Sequence, residues 1–253
     1  MHVALFATCL VDMFRPNAGF ATVALLEQAG CEVHVPLNQT CCGQPAYNNG
    51  DYRNARRLAQ QVIETFSAYD YVVVPSGSCA GMIIQHYPQL FEDDAYWQDR
   101  ARDLAGRCHE LVSFLHDILA VTSFPICEQG AITCHDSCSS RREIQIGQKS
   151  RNLLAGNAQL KFIDLNEAEV CCGFGGTFCV KYPEISTAMV DDKVANIDAT
   201  GAEILVSGDM GCLLNIAGRL KRLNKPIRVY HIAELLAGMT DVPGIGDGES
   251  PQV

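Results

Sequence analysis

The chain is predicted to be an α/β protein built from two similar halves, each with a mainly parallel sheet and one Cys-Cys-Gly site. Three observations support this. Short apolar strands alternate with helical stretches along the whole length, the pattern of parallel sheets with crossover helices. Four cysteines recur in order and at a nearly constant offset: Cys9 with Cys138, Cys41-Cys42 with Cys171-Cys172, and Cys79 with Cys212. The strand Tyr71–Val74 recurs as Ile204–Ser207, at the same offset that separates Cys79 from Cys212. Repetition at a fixed period is the mark of a duplicated unit.

The first half is expected to span 1–125, the second 126–240, with a loose tail over 241–253. His2–Thr8 is short and apolar and reads as a strand. Pro16 and Asn17 open a helix that runs to Gly30, and Cys31–Pro36 is a second strand. A polar loop, Asn38–Asn49, holds Cys41-Cys42-Gly43. Asp51 caps an amphipathic helix through Phe66. Tyr71-Val-Val-Val-Pro75 is a buried-strand pattern ending in the Ser76-Gly77-Ser78 turn, and helical spacing fills Cys79–Ala120. The order then returns: strand Ala131–Cys134, helix Gln148–Ala155, strand Leu160–Leu165, a glycine-rich loop with Cys171-Cys172-Gly173, helix Glu184–Ile197, strand Glu203–Ser207, helix Cys212–Leu223, strand Arg228–His231 and helix Ile232–Ala237.

Composition narrows the function. At 253 residues the chain can bury a core without cross-links. With 48% apolar and 19% charged residues it is globular. A net charge of −10 with no basic cluster argues against nucleic acid as a partner, because phosphate neutralisation supplies most of that affinity. No apolar run approaches a membrane span. The start lacks a basic segment before its apolar run, so a cytoplasmic location with reduced thiols is expected. There, an odd total of 13 cysteines points to metal or redox chemistry rather than disulfides.

Cys9 is followed by Cys41-Cys42-Gly43 and then Cys79; Cys138 is followed, across gaps of closely similar length, by Cys171-Cys172-Gly173 and then Cys212. Each outer cysteine follows a strand, and loops at the carboxyl ends of parallel strands converge. Four thiolates are a donor set for iron–sulfur or zinc. Adjacent cysteines are unusual for tetrahedral zinc, whose ligands come as C-x₂₋₄-C, and favour a multi-iron cluster. Glycines at 43, 173, 175 and 176 let backbone approach a bulky group. Cys31, Cys108 and Cys127 read as small packing residues, with Cys108 in a helix. Cys134 and Cys179, near the ligand candidates, are auxiliary ligands, redox thiols or pocket lining. His135 and Asp136 precede Cys138 and suit either a contact to the cluster or a loop-fixing bond. His34 and His231 fall on strands; His86 and His116 fall on helices with no partner evident. Glycines 173–176 do not form a dinucleotide fingerprint.

The strings Thr8-Cys9-Leu10-Val11-Asp12, Gln39–Asn48 around Cys41-Cys42-Gly43, Ser76-Gly77-Ser78-Cys79-Ala80, His135-Asp136-Ser137-Cys138 and Cys171–Phe178 resemble the cysteine-rich CCG-domain family. Its members include the cysteine-rich subunit of heterodisulfide reductase and the iron–sulfur subunits of glycolate oxidase and anaerobic glycerol-3-phosphate dehydrogenase. The strings look most like its lactate utilization branch. The resemblance covers essentially the whole chain. It implies a redox subunit, not a complete enzyme, in a three-component system oxidising L-lactate to pyruvate. A ferredoxin-like iron–sulfur subunit and a third small subunit are the implied partners. The implied cofactor is one or two iron–sulfur clusters, [4Fe–4S] in type, on Cys9, Cys41, Cys42, Cys79 and Cys138, Cys171, Cys172, Cys212. The reductase ends each motif in C-x-x-C; here Ser76 and Asp209 stand at the first of those positions, which leaves four cysteines per site. Either a cubane in each site or one empty site is compatible with that set. Two other readings stay open: vicinal cysteines cycling as a thiol–disulfide protein, and a zinc-stabilised scaffold.

Overall fold

Eight short parallel strands carry the structure, a computed structural model that describes residues 1–155, 157 and 159–247. They are β1 (His2–Leu5), β2 (Glu32–His34), β3 (Tyr71–Val74), β4 (Cys108–Glu110), β5 (Gly130–Cys134), β6 (Leu160–Phe162), β7 (Ile204–Ser207) and β8 (Arg228–His231). The first sheet has the order β2-β1-β3-β4 and the second β6-β5-β7-β8. Every pairing is parallel. Val3 lies opposite Val33 and Tyr71, and Ile132 opposite Phe162 and Ile204. The central strands are buried on both faces, as the apolar run Val72-Val73-Val74 and its counterpart Ile204–Ser207 require.

In each sheet the chain moves from its first strand to one side and then returns to the other side. The winding therefore reverses between β1 and β3, and again between β5 and β7. A crevice opens outside the carboxyl ends at such a reversal, and ligands bind there in open α/β sheets.

The helix Pro16–Gln28 packs on Ile232–Leu236 from the other half. Arg15 Nε donates to Glu234 Oε1 at 2.8 Å, and Asn17 Nδ2 donates to the same oxygen at 2.7 Å. One apolar cluster takes Val3, Leu25 and Leu26 from the first half and Ile132, Leu153 and Leu236 from the second. The halves thus share a core.

The structure departs from the expected elements in four places. Cys108–Glu110 is a strand, not part of a helix, and Val72 pairs with Cys108. Three residues are too few to imprint a period-2 pattern between long helical stretches. The preceding helix, Ala95–Arg107, ends where Arg107 donates to the carbonyls of Phe66 and Tyr69, at 2.8 and 2.6 Å. The loop 38–49 contains a short helix, Gln44–Asn48. Short helices also open at Cys9 and Cys138. Finally, residues 241–247 are not loose. Ile245 is buried, its N–H donates to Val229 O at 2.7 Å, and Pro243 O accepts from Arg15 at 2.8 Å. Apolar Ile245 outweighs the polar composition around it. The rest of the expected tail, 248–253, lies outside the described residues.

Candidate metal centres

The first set of cysteines gathers at the β1/β3 reversal. Cys9 opens the helix Cys9–Phe14 just after β1, and Cys79 lies in the helix Gly77–Gly81 just after β3. Ser76 Oγ caps that helix by accepting from the Cys79 N–H at 3.3 Å. Cys41-Cys42 are turned inward by Gly43, whose φ of +84° suits glycine. The Gly43 N–H donates to Cys41 Sγ at 3.4 Å, and Tyr87 OH donates to Cys42 O at 2.8 Å. Cys42 Sγ meets Cys79 Sγ at 3.3 Å. Cys9, Cys41, Cys42 and Cys79 lie close enough for their charges to act on one another, so the four sulfurs form one group.

The second set repeats this at the β5/β7 reversal. Cys138 opens the helix Cys138–Arg142 and Cys212 is the third residue of Met210–Arg222. Gly173, with φ +82°, donates its N–H to Cys171 Sγ at 3.4 Å. Asn215 Nδ2 holds Cys172 O at 2.8 Å, the role Tyr87 fills in the first set. Cys138, Cys171, Cys172 and Cys212 likewise lie close enough for their charges to act on one another.

Charge is unevenly placed within each set. Hydrogen bonds from Cys42 and then Cys9 push Cys41 down to about 3. Those from Cys138 and Cys172 push Cys171 down to about 2. The Gly43 and Gly173 N–H groups act in the same direction. Cys9 and Cys138 are pushed up, first because each donates to that thiolate and then by burial. Each set therefore stabilises one thiolate among thiols; further ionisation puts like charges in contact, and a bound cation removes that penalty. An all-sulfur donor set is soft and suits iron–sulfur, zinc or copper(I) over magnesium or calcium.

The two sets face one another. All eight cysteines line a single cavity of about 420 Å³ between the halves. Asp209 accepts from the Ser78 N–H at 2.9 Å and from Ser78 Oγ at 3.2 Å, tying one half to the other at the cavity wall. Ser76 and Asp209, the positions without the extra cysteine, are thus a helix cap and an inter-half clamp.

All 13 cysteines are free thiols. Cys31, Cys108 and Cys134 are buried. Cys127, expected to pack, is exposed. Cys179 Sγ donates to Gly176 O at 3.4 Å. Asp136 pairs with Arg151 at 2.8 Å and so fixes the loop before Cys138, whereas His135 makes no such bond. Two histidines without evident partners acquire them: His116 meets Asp117, and His86 faces Glu143 at 3.6 Å on the cavity wall. Glu143 comes from the other half, so no local pattern could have linked it to His86.

Among the described residues no helix is long and apolar enough to cross a membrane. The chain is 48% identical over 236 residues to lactate utilization protein A of Geobacillus sp. (strain WCH70) and to that of Bacillus subtilis (strain 168), covering 93% of this chain and 99% of each. Among solved structures, a glutamate racemase from Bacillus anthracis aligns with 94% of this chain and 78% of its own, at 13% identity and a TM-score of 0.37. That likeness is too slight to bear on the site. The cysteine-rich domain, CCG, matches residues 3–84 and again 132–217, one match containing each set of four cysteines. The chain therefore belongs to the CCG cysteine-rich domain family and carries that domain twice.

Proposed function

We propose that this protein is the iron–sulfur electron-transfer subunit of a complex that oxidises L-lactate to pyruvate, working in the cytoplasm. The observation that carries the reading is the convergence of eight cysteines into two four-sulfur groups on one cavity. Near-full-length similarity to proteins named lactate utilization protein A supports lactate as the substrate of the system.

Cys9, Cys41, Cys42 and Cys79 would hold one centre, and Cys138, Cys171, Cys172 and Cys212 the other. A bound [4Fe–4S] cluster supplies one-electron transfer at each. The chain's own groups do the rest. Gly43 and Gly173 present N–H donors to sulfur, which raises the potential of a centre there. Ser76 and Asp209 hold the walls. The vicinal cysteines are fixed through their carbonyls by Tyr87 and Asn215. The removal of hydride or proton from lactate falls to a partner; a ferredoxin-like iron–sulfur subunit and a third small subunit complete the proposed system.

A thiol–disulfide role is the second reading, favoured by one observation: Cys42 Sγ lies 3.3 Å from Cys79 Sγ, beside the adjacent thiol of Cys41. Metal content separates the two. Protein purified without oxygen is expected to contain iron and acid-labile sulfide in equal amounts, with an EPR signal on reduction. Absence of iron after anaerobic reconstitution would sink the first reading and leave the second.

A further inference from the structure

Position 135 breaks the likeness of the two centres. The N–H of Phe6 donates to Val73 O, and the N–H of His135 donates to Val206 O, both at 2.9 Å. The two residues therefore hold the same place, at the carboxyl ends of β1 and β5. In the first half that place is a fully buried phenylalanine, in one apolar cluster with Cys42 and Cys79. In the second it is an imidazole only 2% exposed.

Neither nitrogen of that ring has a hydrogen-bond partner. Two nearby charged groups are engaged elsewhere: Asp136 with Arg151, and Lys193 Nζ with Glu167 O at 3.1 Å. An orphaned buried polar group is costly, so native proteins rarely keep one without a partner. One ring nitrogen, Cys172 Sγ and Cys212 Sγ all lie within 4.8 Å of one another. A neutral imidazole presents one free lone pair. Neutral imidazole is a metal ligand.

We propose that His135 is a nitrogen ligand of the metal centre in the second cysteine set, which is then a mixed sulfur–nitrogen site facing an all-sulfur one. This rests on reading the cysteine sets as metal sites. With the imidazole in place of one of the four thiolates the centre carries one negative charge less, and histidine in place of cysteine raises the potential of an iron–sulfur centre. The second centre is the more oxidising, so electrons pass from the first set to the second.

The test compares the iron-reconstituted full chain with His135→Phe, which installs the residue of the first half, and with His135→Asn. Pulsed EPR on the reduced protein is expected to show hyperfine coupling to a directly bound nitrogen. That coupling should persist in Cys42→Ser and vanish in His135→Phe. In the same variant the potential of one centre should fall while the other is unchanged. Iron-loaded wild type without ligand-sized nitrogen coupling would overturn the inference and leave the cluster reading standing, even if neither variant folds. Failure to take up iron would overturn both.

Discussion

The two cysteine sets share a scaffold and differ in what surrounds it. Each has a thiolate held by a glycine N–H, a carbonyl clamp on the second vicinal cysteine and sulfurs delivered from the ends of two central strands. Beside the first set stand two apolar side chains, Phe6 and Val62, fully or almost fully buried. Around the second, His135 stands in the place of Phe6. Gly43 faces Ala55 and Leu58, and Gly173 faces Ser186 and Met189, which sets Val62 against Lys193. Lys193 is fully buried, and its amine is pushed down by burial despite the nearby thiolates. Duplication kept the placement of the cysteines, while the side chains around them, which tune charge, diverged.

The comparison breaks most visibly at the ligands themselves. If the cysteine sets hold iron as proposed, Cys42→Ser and Cys172→Ser should each remove about half of it, since one set loses a donor while the other stays whole. Iron assays with EPR would show two different residual signals. Identical residual spectra would mean that the surrounding side chains do not distinguish the centres.

The glycines sharpen it next. A left-handed residue with a Cβ costs ~1–2 kcal/mol, and both Gly43→Ala and Gly173→Ala incur that. Only Gly173→Ala also drives its Cβ to 2.7 Å from Ser186 O; at Gly43 the nearest atoms are 3.5 Å away. Urea melts should rank Gly173→Ala as the more destabilising, and equal losses would remove the claimed asymmetry.

The smallest effects lie in two buried caps. Glu110, ending β4, accepts from the Ser113 N–H at 3.1 Å. His231, ending β8, accepts from the Ala233 N–H at 3.2 Å. Val74 pairs with Glu110 and Ser207 with His231, so the two occupy one topological place. Burial pushes Glu110 up to about 8 from 4.5. Between those values the folded chain holds a proton that the unfolded one lacks, so stability falls as pH rises. Burial pushes His231 down to about 4 from 6.5, and there stability falls as pH falls. Glu110→Gln should flatten the first slope and His231→Gln the second, read from urea midpoints against pH. Unchanged slopes would show that these groups do not set the pH dependence.

Much of the fold was legible because its signals are local. Val72-Val73-Val74 reads as a buried strand, and Asp51 as a helix cap whose side chain accepts from the Asn54 N–H. The strand β4 was not legible: three residues, Cys108-His-Glu110, carry no periodicity, and only pairing with β3 makes them a strand. Residues 241–247 misled for the opposite reason, since their Gly, Pro and acid content hides the one side chain, Ile245, that docks.

The sequence by itself determined the duplication, the α/β class and the two sets of four cysteines, because strand patterns and repeat offsets are properties of order along the chain. Tertiary structure alone decided that the two sets open onto one cavity, that Asp209 reaches Ser78, that His86 meets Glu143 and that His135 is buried with both nitrogens unpaired. Those facts join residues of different halves or depend on which partners fail to arrive. Packing, not residue order, sets both.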